Sequence, residues 1–551
     1  MKLKTPSKTL IYFSFFFLLI NNIIAQNLKS DVDALITEAY PKDAPGVSIL
    51  IAKNGKTIYT NTSGLANLEL NVPLNSNSVF EIGSITKQFT AISILMLQEQ
   101  GKLNVTDNIT KYIPDYPTNG KTITIHHLLN HTSGIKSYTS MPSFRALARK
   151  DMTPTELIDV FKNEPMDFDP GEQYRYNNSG YILLGHIIEV VSKTSYAEFI
   201  EKNIFKPVGM TSSYYGSMSK IIPNRASGYS KRGDNYVNAD YLSLTLPYAA
   251  GSIMSTVGDL LKWQNALSAN QLVKRSTLEK AINGSSLNNG KKISYGYGFI
   301  AGDLNGSPTI EHSGGIFGYS TNGIYFPKED IYVIGLVNCD CSSAVQIVNK
   351  VAATAIGKPF FNKKDAVTLN ETQLKKWVGA YQYEENIIRH ITVSNGKIYS
   401  QREGSDKLEI FPTSENTFVF DGSTTSYSFA MQGNKKEATM IVNGEKRLGK
   451  EIDKAAPAEK KEITLPAEEL QQYVGTYELA PTFSIQISVR EGNIFGVATN
   501  QPEVQLFPYS KNAFFLKVVK AEIIFNKDEE GKVISLTLHQ NGQQIPGKKV
   551  K

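Results

Sequence analysis

An internal repeat in the last third of the chain constrains its architecture more than any other feature. Two sets of residues recur at a constant offset of 96 positions. The matched residues are Thr368, Leu369, Leu374, Val378, Gly379 and Tyr381 with Thr464, Leu465, Leu470, Val474, Gly475 and Tyr477, and Phe411, Pro412, Ser414, Asn416 and Phe418 with Phe507, Pro508, Ser510, Asn512 and Phe514. Matches in one register over about 50 residues indicate two copies of one structural unit.

Each copy has the pattern of a small antiparallel β-barrel of the lipocalin-like kind. It opens with a short helical turn and continues as short alternating strands, and its length is too great for a solenoid repeat. The stretch Asp453–Glu462, rich in Lys, Ala and Glu, is typical of a linker. We therefore predict a β-barrel domain at 361–452, a linker at 453–463 and a second, repeated barrel at 464–551.

The chain before these barrels has the pattern of a mixed fold. Two β-prone runs flank Asn54-Gly55, which is the strongest short hairpin signal. Apolar residues then recur at helical spacing from Ser84 to Gln100, and the chain is strand-like again from Tyr295 to Asn338. Further helices are predicted at 155–162, 181–192 and 342–356. Strands at both ends of a helical middle predict one α+β domain at 26–360, an antiparallel sheet flanked by helices.

The N-terminus has the features of a secretory signal peptide. Three lysines precede the apolar run Leu10–Ile20, and the small residue Ala25 offers a cleavage site. The run is shorter than the roughly 20 apolar residues of a membrane-spanning helix. We predict a signal peptide at 1–25, no stable membrane anchor after its cleavage, and a secreted or periplasmic protein.

Charge and cysteine content exclude several classes of function. Half of the formal charge of +6 comes from those N-terminal lysines, so nothing indicates a nucleic-acid partner. Only Cys339 and Cys341 are present, too few for a zinc site. A disulfide across one residue would be strained, so we expect two free thiols. No metal and no cofactor are predicted.

A candidate nucleophile stands at Ser84. The pattern Ser-x-x-Lys occurs four times, starting at Ser84, Ser133, Ser217 and Ser394. Only the Ser84 copy lies where a strand-like segment passes through a glycine into a predicted amphipathic helix. Residues i and i+3 share a helix face, so Lys87 can approach the Ser84 hydroxyl and act as its base if its pKa is lowered. The free N–H groups of a helix N-terminus also favour an oxyanion.

Two further motifs supply the groups that such a serine needs. Tyr176, two residues before Asn178, lies on an irregular segment between a Pro-Gly turn and a helix, and a phenolate beside a lysine could share in proton transfer. His312 begins the only His-x-Gly of the sequence. Its glycines would let an extended backbone approach a substrate, with an N–H near Gly315 as the second oxyanion donor.

The order of these motifs resembles that of the serine β-lactamase and penicillin-binding-protein superfamily. The resemblance rests on Ser84-x-x-Lys87, Tyr176-x-Asn178 and His312-x-Gly314. It is greatest to the class C-like branch, which includes D-aminopeptidases, D-alanyl-D-alanine carboxypeptidases and esterases. The segments Leu128–Gly134 and Ala250–Leu260 look like connecting segments of that branch, and the resemblance covers roughly 40–355. It implies a β-lactamase/DD-peptidase-like fold.

The resemblance also implies roles for single residues. Ser84 would be acylated, while Lys87 and Tyr176 move its proton. Asn178 would bind the acyl-side amide of the substrate. The main-chain N–H groups of Ser84 and Gly315 would hold the oxyanion.

The third motif departs from the pattern of many superfamily members. They carry Lys where this chain has His312, and a permanent cation there can hold a substrate carboxylate. A histidine is mostly neutral at pH 7, which weakens the case for a β-lactam or a terminal D-Ala carboxylate. His312, Gly314 and Gly315 are therefore expected to form a substrate-binding strand that suits aminopeptidase or esterase substrates.

Three functional hypotheses follow. The first is an exported serine hydrolase acting on small amides or esters, D-amino-acid peptides among them. The second is a class C-like β-lactamase or penicillin-sensitive carboxypeptidase. The third is a protein that is acylated or binds cell-wall fragments without turnover. The expected partner is a small-molecule or peptide substrate, with cell-wall fragments as a further ligand. The two barrels resemble those of D-stereospecific aminopeptidases, in which a barrel loop narrows the active site; passive attachment modules are the alternative.

Overall fold

The computed structural model describes residues 28–384, 387–442, 445–457, 462–480, 483–499, 501–519, 521–540 and 543–550. The predicted signal peptide at 1–25 lies outside these residues, as does the middle of the predicted linker. No helix within the described residues is both long and apolar enough to cross a membrane. The described residues divide into two compact units: one holds those up to Asn362 with Gly422–Thr424, Val442 and Glu445, and the other holds the remainder.

The first unit is built around a six-stranded antiparallel sheet, whose neighbouring strands are, in order, Ile300–Leu304, Ser307–Ile316, Tyr319–Phe326, Ile331–Val337, Val47–Lys53 and Lys56–Ser63. The strands of this unit are β1 (Val47–Lys53), β2 (Lys56–Ser63), β3 (Leu65–Asn67), β4 (Val72–Pro73), β5 (Phe80–Glu81), β6 (Tyr214–Tyr215), β7 (Tyr229–Arg232), β8 (Asn235–Asn238), β9 (Ile253–Ser255), β10 (Ser285–Ser286), β11 (Lys292–Ile293), β12 (Ile300–Leu304), β13 (Ser307–Ile316), β14 (Tyr319–Phe326) and β15 (Ile331–Val337). The hairpin predicted at Asn54-Gly55 is confirmed, because β1 pairs with β2 across it.

Helices cover both faces of this sheet. They are α1 (28–39), α2 (Thr86–Glu99), α3 (Ile125–Leu129), α4 (Phe144–Leu147), α5 (Pro154–Phe161), α6 (Asn178–Ser192), α7 (Tyr196–Ile200), α8 (Lys206–Val208), α9 (Tyr248–Gly251), α10 (Val257–Ser268), α11 (Arg275–Ile282) and α12 (Ala344–Ala355). Strand β1 explains why both faces need cover: Leu50 and Ala52 enter one hydrophobic core, while Ile49 and Ile51 enter the other. Alternate residues of a strand face opposite sides, so a strand with buried apolar residues on both sides requires helices on both.

Helix α2 differs from the predicted amphipathic helix, because most of its surface is buried. Its buried hydroxyl groups are paired inside the protein. The Thr90 hydroxyl lies 2.6 Å from the Ala249 carbonyl oxygen, and Ser93 donates to the Phe89 carbonyl at 2.8 Å. Since a buried hydroxyl must find a partner, these bonds allow α2 to run through the core.

The second unit contains two closed antiparallel barrels of eight strands each, so the barrel prediction is confirmed. Helix α13 (Glu371–Lys375) precedes the strands β16 (Gly379–Glu384), β17 (Ile387–Ser394), β18 (Lys397–Arg402), β19 (Lys407–Pro412), β20 (Thr417–Val419), β21 (Ser426–Gln432), β22 (Lys435–Val442) and β23 (Glu445–Ile452). Helix α14 (Ala467–Gln471) precedes β24 (Gly475–Ala480), β25 (Phe483–Arg490), β26 (Asn493–Ala498), β27 (Val504–Ser510), β28 (Ala513–Leu516), β29 (Ala521–Lys527), β30 (Val533–Gln540) and β31 (Gln543–Lys549).

The sequence repeat has a structural counterpart in these barrels. The helix and the first three strands of one copy coincide with those of the other at the offset of 96 residues. The buried Tyr381 donates its hydroxyl to the Trp377 carbonyl at 2.7 Å, and Tyr477 donates to the Tyr473 carbonyl at 2.8 Å. The recurring tyrosine therefore fastens the first strand of each barrel to the end of the preceding helical turn.

The prediction of two free thiols is wrong. Cys339 and Cys341 form a disulfide in the turn that follows β15. Their Cα atoms lie 5.1 Å apart, within the range that a disulfide spans, because the chain reverses there and the Ser342 N–H approaches the Cys339 carbonyl.

Candidate active site

Ser84 lies in a tight turn between strand β5 and helix α2. A 3₁₀ turn, Gly83–Ile85, precedes α2, so the regular helix begins two residues after the serine. Gly83 has a φ of +51°, and a Cβ on it would lie 3.0 Å from both the nitrogen and the carbonyl oxygen of Gly315. Only glycine suits a left-handed backbone at so close an approach, so Gly83 brings Ser84 beside strand β13.

Lys87 points from the first turn of α2 to the Ser84 hydroxyl. Its Nζ lies 3.0 Å from Ser84 Oγ, 2.8 Å from Asn178 Oδ1 and 2.8 Å from the Ala250 carbonyl oxygen. The side chain is fully buried, and no described carboxylate forms an ion pair with it. Burial without a counter-charge holds the pKa of Lys87 well below its usual value of 10.5.

These contacts determine how a neutral Lys87 would be oriented. A neutral amine has two N–H donors and one lone pair, whereas the oxygens of Asn178 and Ala250 can only accept. The two N–H bonds therefore go to those oxygens. The lone pair is left facing the Ser84 hydroxyl, as a general base requires.

The ring of Tyr176 lies beside Lys87, whose Nζ is 4.9 Å from the ring centroid. Although 38 % of the residue is exposed, the surrounding protein raises the pKa of its phenol, and a hydrogen bond with Ser84 only partly offsets this. The phenol is therefore neutral at ordinary pH. Burial therefore disfavours the phenolate that the sequence left open, and a neutral phenol bonded to Ser84 can pass a proton to or from the serine hydroxyl.

Asn178 is the first residue of helix α6, and it links three parts of the site. Its Oδ1 accepts from Lys87, its Nδ2 donates to Thr139 Oγ1 at 2.9 Å, and its own N–H donates to Ser137 Oγ at 3.2 Å. The preceding Asn177 caps the helix by accepting from the Gly180 N–H at 3.0 Å. The cap fixes the start of α6 and with it the position of Asn178.

The two glycines of the third motif have different surroundings. Gly314 is buried, and a Cβ on it would lie 2.1 Å from the Ile82 carbonyl oxygen and 2.4 Å from Thr321 Oγ1. Gly315 is exposed to the cleft beside Ser84, and a Cβ there would meet nothing within 4 Å. Gly314 therefore allows the strand to approach β5, while Gly315 forms part of the cleft wall.

His312 lies beneath this wall and not in it. Its Nδ1 is 2.6 Å from the Ser313 carbonyl oxygen and its Nε2 is 2.9 Å from the Tyr295 hydroxyl. A carbonyl can only accept, so Nδ1 carries the proton and Tyr295 donates to Nε2. Burial and the nearby Lys87 lower the pKa of His312 to about 3. The ring is neutral, as the sequence suggested. It is buried and does not line the cavity at Ser84, whereas the sequence led us to expect contact with the substrate.

A cavity of about 440 Å³ opens at Ser84. Asn178 and Gly315 line it with Ser84, and apolar side chains form most of its remaining wall: Tyr138, Phe144, Leu242, Pro247, Ile316 and Phe317. Among the described residues no group of three or more His, Cys, Asp or Glu side chains could hold a metal ion. The site thus combines a serine, a buried amine and a neutral phenol at one end of an apolar cavity.

Residues 32–355 match the family described as Beta-lactamase. The Bacillus subtilis protein named Penicillin-binding protein 4* is 31 % identical to this chain over 433 residues, which cover 74 % of this chain and 94 % of that protein. The chain belongs to the β-lactamase family. Like the β-lactamases and penicillin-binding proteins, it is a serine hydrolase.

Solved structures of the β-lactamase family support the same assignment. The octameric penicillin-binding protein homologue from Pyrococcus abyssi is 28 % identical, with a TM-score of 0.53 over 77 % of this chain and 99 % of that one. A D-stereospecific amidohydrolase from Streptomyces sp. is 26 % identical, with a TM-score of 0.51 over 61 % of this chain and 98 % of that one. Residues 459–549 match a second family, described as a domain of unknown function (DUF3471).

The sequence motifs missed a histidine that supports this β-lactamase-family site. His131 is buried with a φ of +61°, and its Nδ1 accepts the Asn177 N–H at 3.1 Å. Its ring centroid lies 4.3 Å from that of Tyr176 and 4.4 Å from that of Tyr295. The segment Leu128–Gly134 resembles a connecting segment of the class C-like branch, but nothing in its pattern indicates contact with the tyrosine motif.

Proposed function

We propose that the protein is an exported hydrolase that cleaves small amides or esters through an acyl-enzyme on Ser84, with D-amino-acid peptides as the preferred class. The orientation of Lys87 carries the proposal. Two carbonyl oxygens accept hydrogen bonds from the two N–H groups of the neutral amine. Its lone pair is therefore directed at the Ser84 hydroxyl, 3.0 Å away. A serine becomes a nucleophile when such a base takes its proton.

The other residues complete an acyl-transfer sequence. Lys87 takes the proton as Ser84 Oγ attacks the carbonyl carbon, and the N–H groups of Ser84 and Gly315 hold the developing oxyanion. The Tyr176 phenol passes a proton to the leaving group as it departs, which leaves the acyl-enzyme. Water then attacks the acyl carbon and gives one proton to the Tyr176 phenolate. Ser84 Oγ departs with the proton of the Lys87 ammonium, so all three groups return to their starting states. Asn178 orients the acyl-side amide.

Two observations favour amides and esters over β-lactams or terminal D-Ala carboxylates. The pKa of His312 near 3 keeps that ring uncharged, and none of the described residues lining the cavity is a lysine or arginine. A carboxylate-bearing substrate would therefore lack the cation that usually holds it. The similarity to a D-stereospecific amidohydrolase supports the choice of D-configured amides.

Location is part of the proposal. The basic and apolar N-terminus is typical of an export signal, and cell-wall fragments are a natural source of D-amino-acid amides outside the cytoplasm. The predicted barrel domains at 361–452 and 464–551, with their linker, are proposed as accessory modules.

A substrate panel tests the reaction class. The wild type and Ser84→Ala are compared on D-alanine p-nitroanilide, a short-chain nitrophenyl ester and a chromogenic cephalosporin. We expect turnover of the anilide or the ester by the wild type and only background hydrolysis by Ser84→Ala. Equal rates for the two proteins would refute Ser84 as the nucleophile. Turnover of the cephalosporin alone would refute the preference for amides and esters.

A further inference from the structure

The cavity at Ser84 contains one charged group. Of the described residues that line it, Asp340 is the only one with a formal charge, and its other walls are apolar or neutral. Lys87 cannot neutralise this carboxylate, because it is buried and bonded to Ser84, Asn178 and Ala250. The cavity therefore has a negative side and no positive side.

Asp340 is held in place by contacts on one of its two oxygens. Its Oδ2 accepts from the Ser230 hydroxyl at 2.8 Å and from the Gly318 N–H at 2.9 Å. Within the described residues Oδ1 accepts no hydrogen bond and no cation pairs with the carboxylate. The residue also stands between Cys339 and Cys341, so the disulfide restrains the backbone on both sides of it. A fixed carboxylate with one free oxygen is a binding group for a cation.

The turn between β13 and β14 limits the separation between Asp340 and the reacting serine. Gly315 lies beside Ser84, and Gly318, whose N–H donates to Asp340 Oδ2 at 2.9 Å, follows it by three residues in this turn. Three residues span at most about 10 Å, so the carboxylate lies within roughly 13 Å of Gly315. An extended peptide advances about 3.5 Å per residue. A cation at this distance belongs to a long side chain on the residue at the scissile bond or on its neighbour.

We propose that Asp340 is a specificity-determining residue that binds a primary ammonium group carried on a lysine-like side chain of the substrate. The apolar wall receives the methylene stem, and Oδ1 of Asp340 accepts from the ammonium. The proposal rests on the proposed hydrolytic function and narrows its substrate class to basic D-configured peptides and amides.

Matched substrates test this inference. One pair is D-lysine and D-norleucine p-nitroanilide, and the other is the dipeptides of D-alanine with D-lysine or D-norleucine; each pair differs mainly in the terminal ammonium. For at least one pair we expect the wild type to favour the lysine substrate by about fivefold in kcat/KM, the size typical of a solvent-exposed ion pair. That ratio should decline in about 0.5 M salt, since salt screens exposed charges.

The variant Asp340→Asn keeps the shape of the side chain and removes its charge. It should bring the lysine-to-norleucine ratio close to one. The control is Asp303→Asn: Asp303 also accepts a backbone N–H in a β-turn, from Gly306 at 2.8 Å, but it does not line the cavity. This variant should keep the wild-type ratio.

The outcomes separate the inference from the function on which it rests. A wild-type ratio near one in both pairs, or an unchanged ratio in Asp340→Asn, overturns the role of Asp340 while hydrolysis through Ser84 stands. Ser84→Ala turnover equal to the wild type overturns the proposed function, and the inference falls with it. A loss of the ratio in Asp340→Asn that Asp303→Asn does not share supports the inference.

Discussion

Lys87 Nζ lies 3.0 Å from Ser84 Oγ, and both other partners of this amine are neutral carbonyl oxygens. None of its described hydrogen-bond partners carries a negative charge, and burial lowers the pKa of Lys87 well below 10.5. The same contacts that disfavour the ammonium direct the lone pair of the neutral amine at the serine.

The first prediction concerns the charge state of Lys87. Arginine stays protonated and cannot accept the serine proton, so Lys87→Arg should lower kcat/KM by about 10² to 10⁴. In the wild type, kcat/KM should rise with pH until the amine is neutral and then level off at a pH well below 10.5. The pH–rate profiles of the two proteins are the measurement. A Lys87→Arg enzyme within about tenfold of the wild type, with the same acidic limb, would contradict a basic role for Lys87.

A second prediction separates the two glycines of strand β13. Gly314→Ala places a methyl group against the Ile82 carbonyl oxygen and Thr321, so it should lower the free energy of unfolding by about 1–3 kcal/mol or more. Gly315→Ala points its methyl group into the cleft and should change this free energy by less than about 0.5 kcal/mol. Denaturant titration of both variants is the check. Equal stability would mean that the strand does not approach β5 as closely as described.

A third prediction assigns His131 a positioning role. His131→Leu removes the acceptor of the Asn177 N–H and changes the packing of the Tyr176 ring. A displacement of about 1 Å in a reacting group can cost about 10² in rate, so kcat should fall by about 10- to 100-fold, with a smaller change in KM. Circular dichroism should show the fold intact.

The matched control for His131 is His127, which accepts the Thr124 N–H at the start of α3. His127→Leu should leave kcat near the wild-type value, and His131→Asn, which tolerates the left-handed backbone, should recover part of the loss. If His127→Leu and His131→Leu reduce kcat equally, the effect is a general loss of packing and the positioning role is refuted.

A fourth prediction follows from the neutral state of His312. Its pKa is about 3 in the folded protein against 6.5 for the ordinary side chain, so the unfolded chain binds more protons between these values. The free energy of unfolding should therefore rise as the pH rises from about 3 to 6.5. This gain should be lost when the solution is acidified through the same range. The contribution of this residue between pH 6.5 and about pH 5 is about 2 kcal/mol. His312→Gln should show a shallower slope in chemical denaturation at several pH values; an unchanged slope would mean that His312 is protonated when folded.

Much of the architecture could be predicted from local patterns. The hairpin at Asn54-Gly55 and the two barrels follow from turn residues, alternation and the repeat, which need no knowledge of distant contacts. The nature of helix α2 could not be predicted in this way. Its periodicity suggested one apolar face, but Thr90 and Ser93 are buried because distant carbonyl groups and the helix backbone accept their protons.

In the candidate site, too, contacts between residues close in sequence could be predicted, whereas contacts between distant segments could not. The spacing of Ser84 and Lys87 within one turn was enough to bring them together, as i and i+3 contacts are local. The contact of His131 with Asn177 and the hydrogen bond of His312 with Tyr295 join segments that are separated in sequence, so no motif reveals them. The bridge between Cys339 and Cys341 depends on a turn that the sequence pattern did not define.

The central claim is that Ser84 carries the acyl group. The most direct measurement is peptide mass spectrometry after the enzyme turns over a nitrophenyl ester and is quenched in acid. We predict that the peptide containing Ser84 gains the mass of the acyl group, and that Ser84→Ala gains none. An acyl group on another residue, or rapid turnover with no acylated peptide at any time point, would contradict the account.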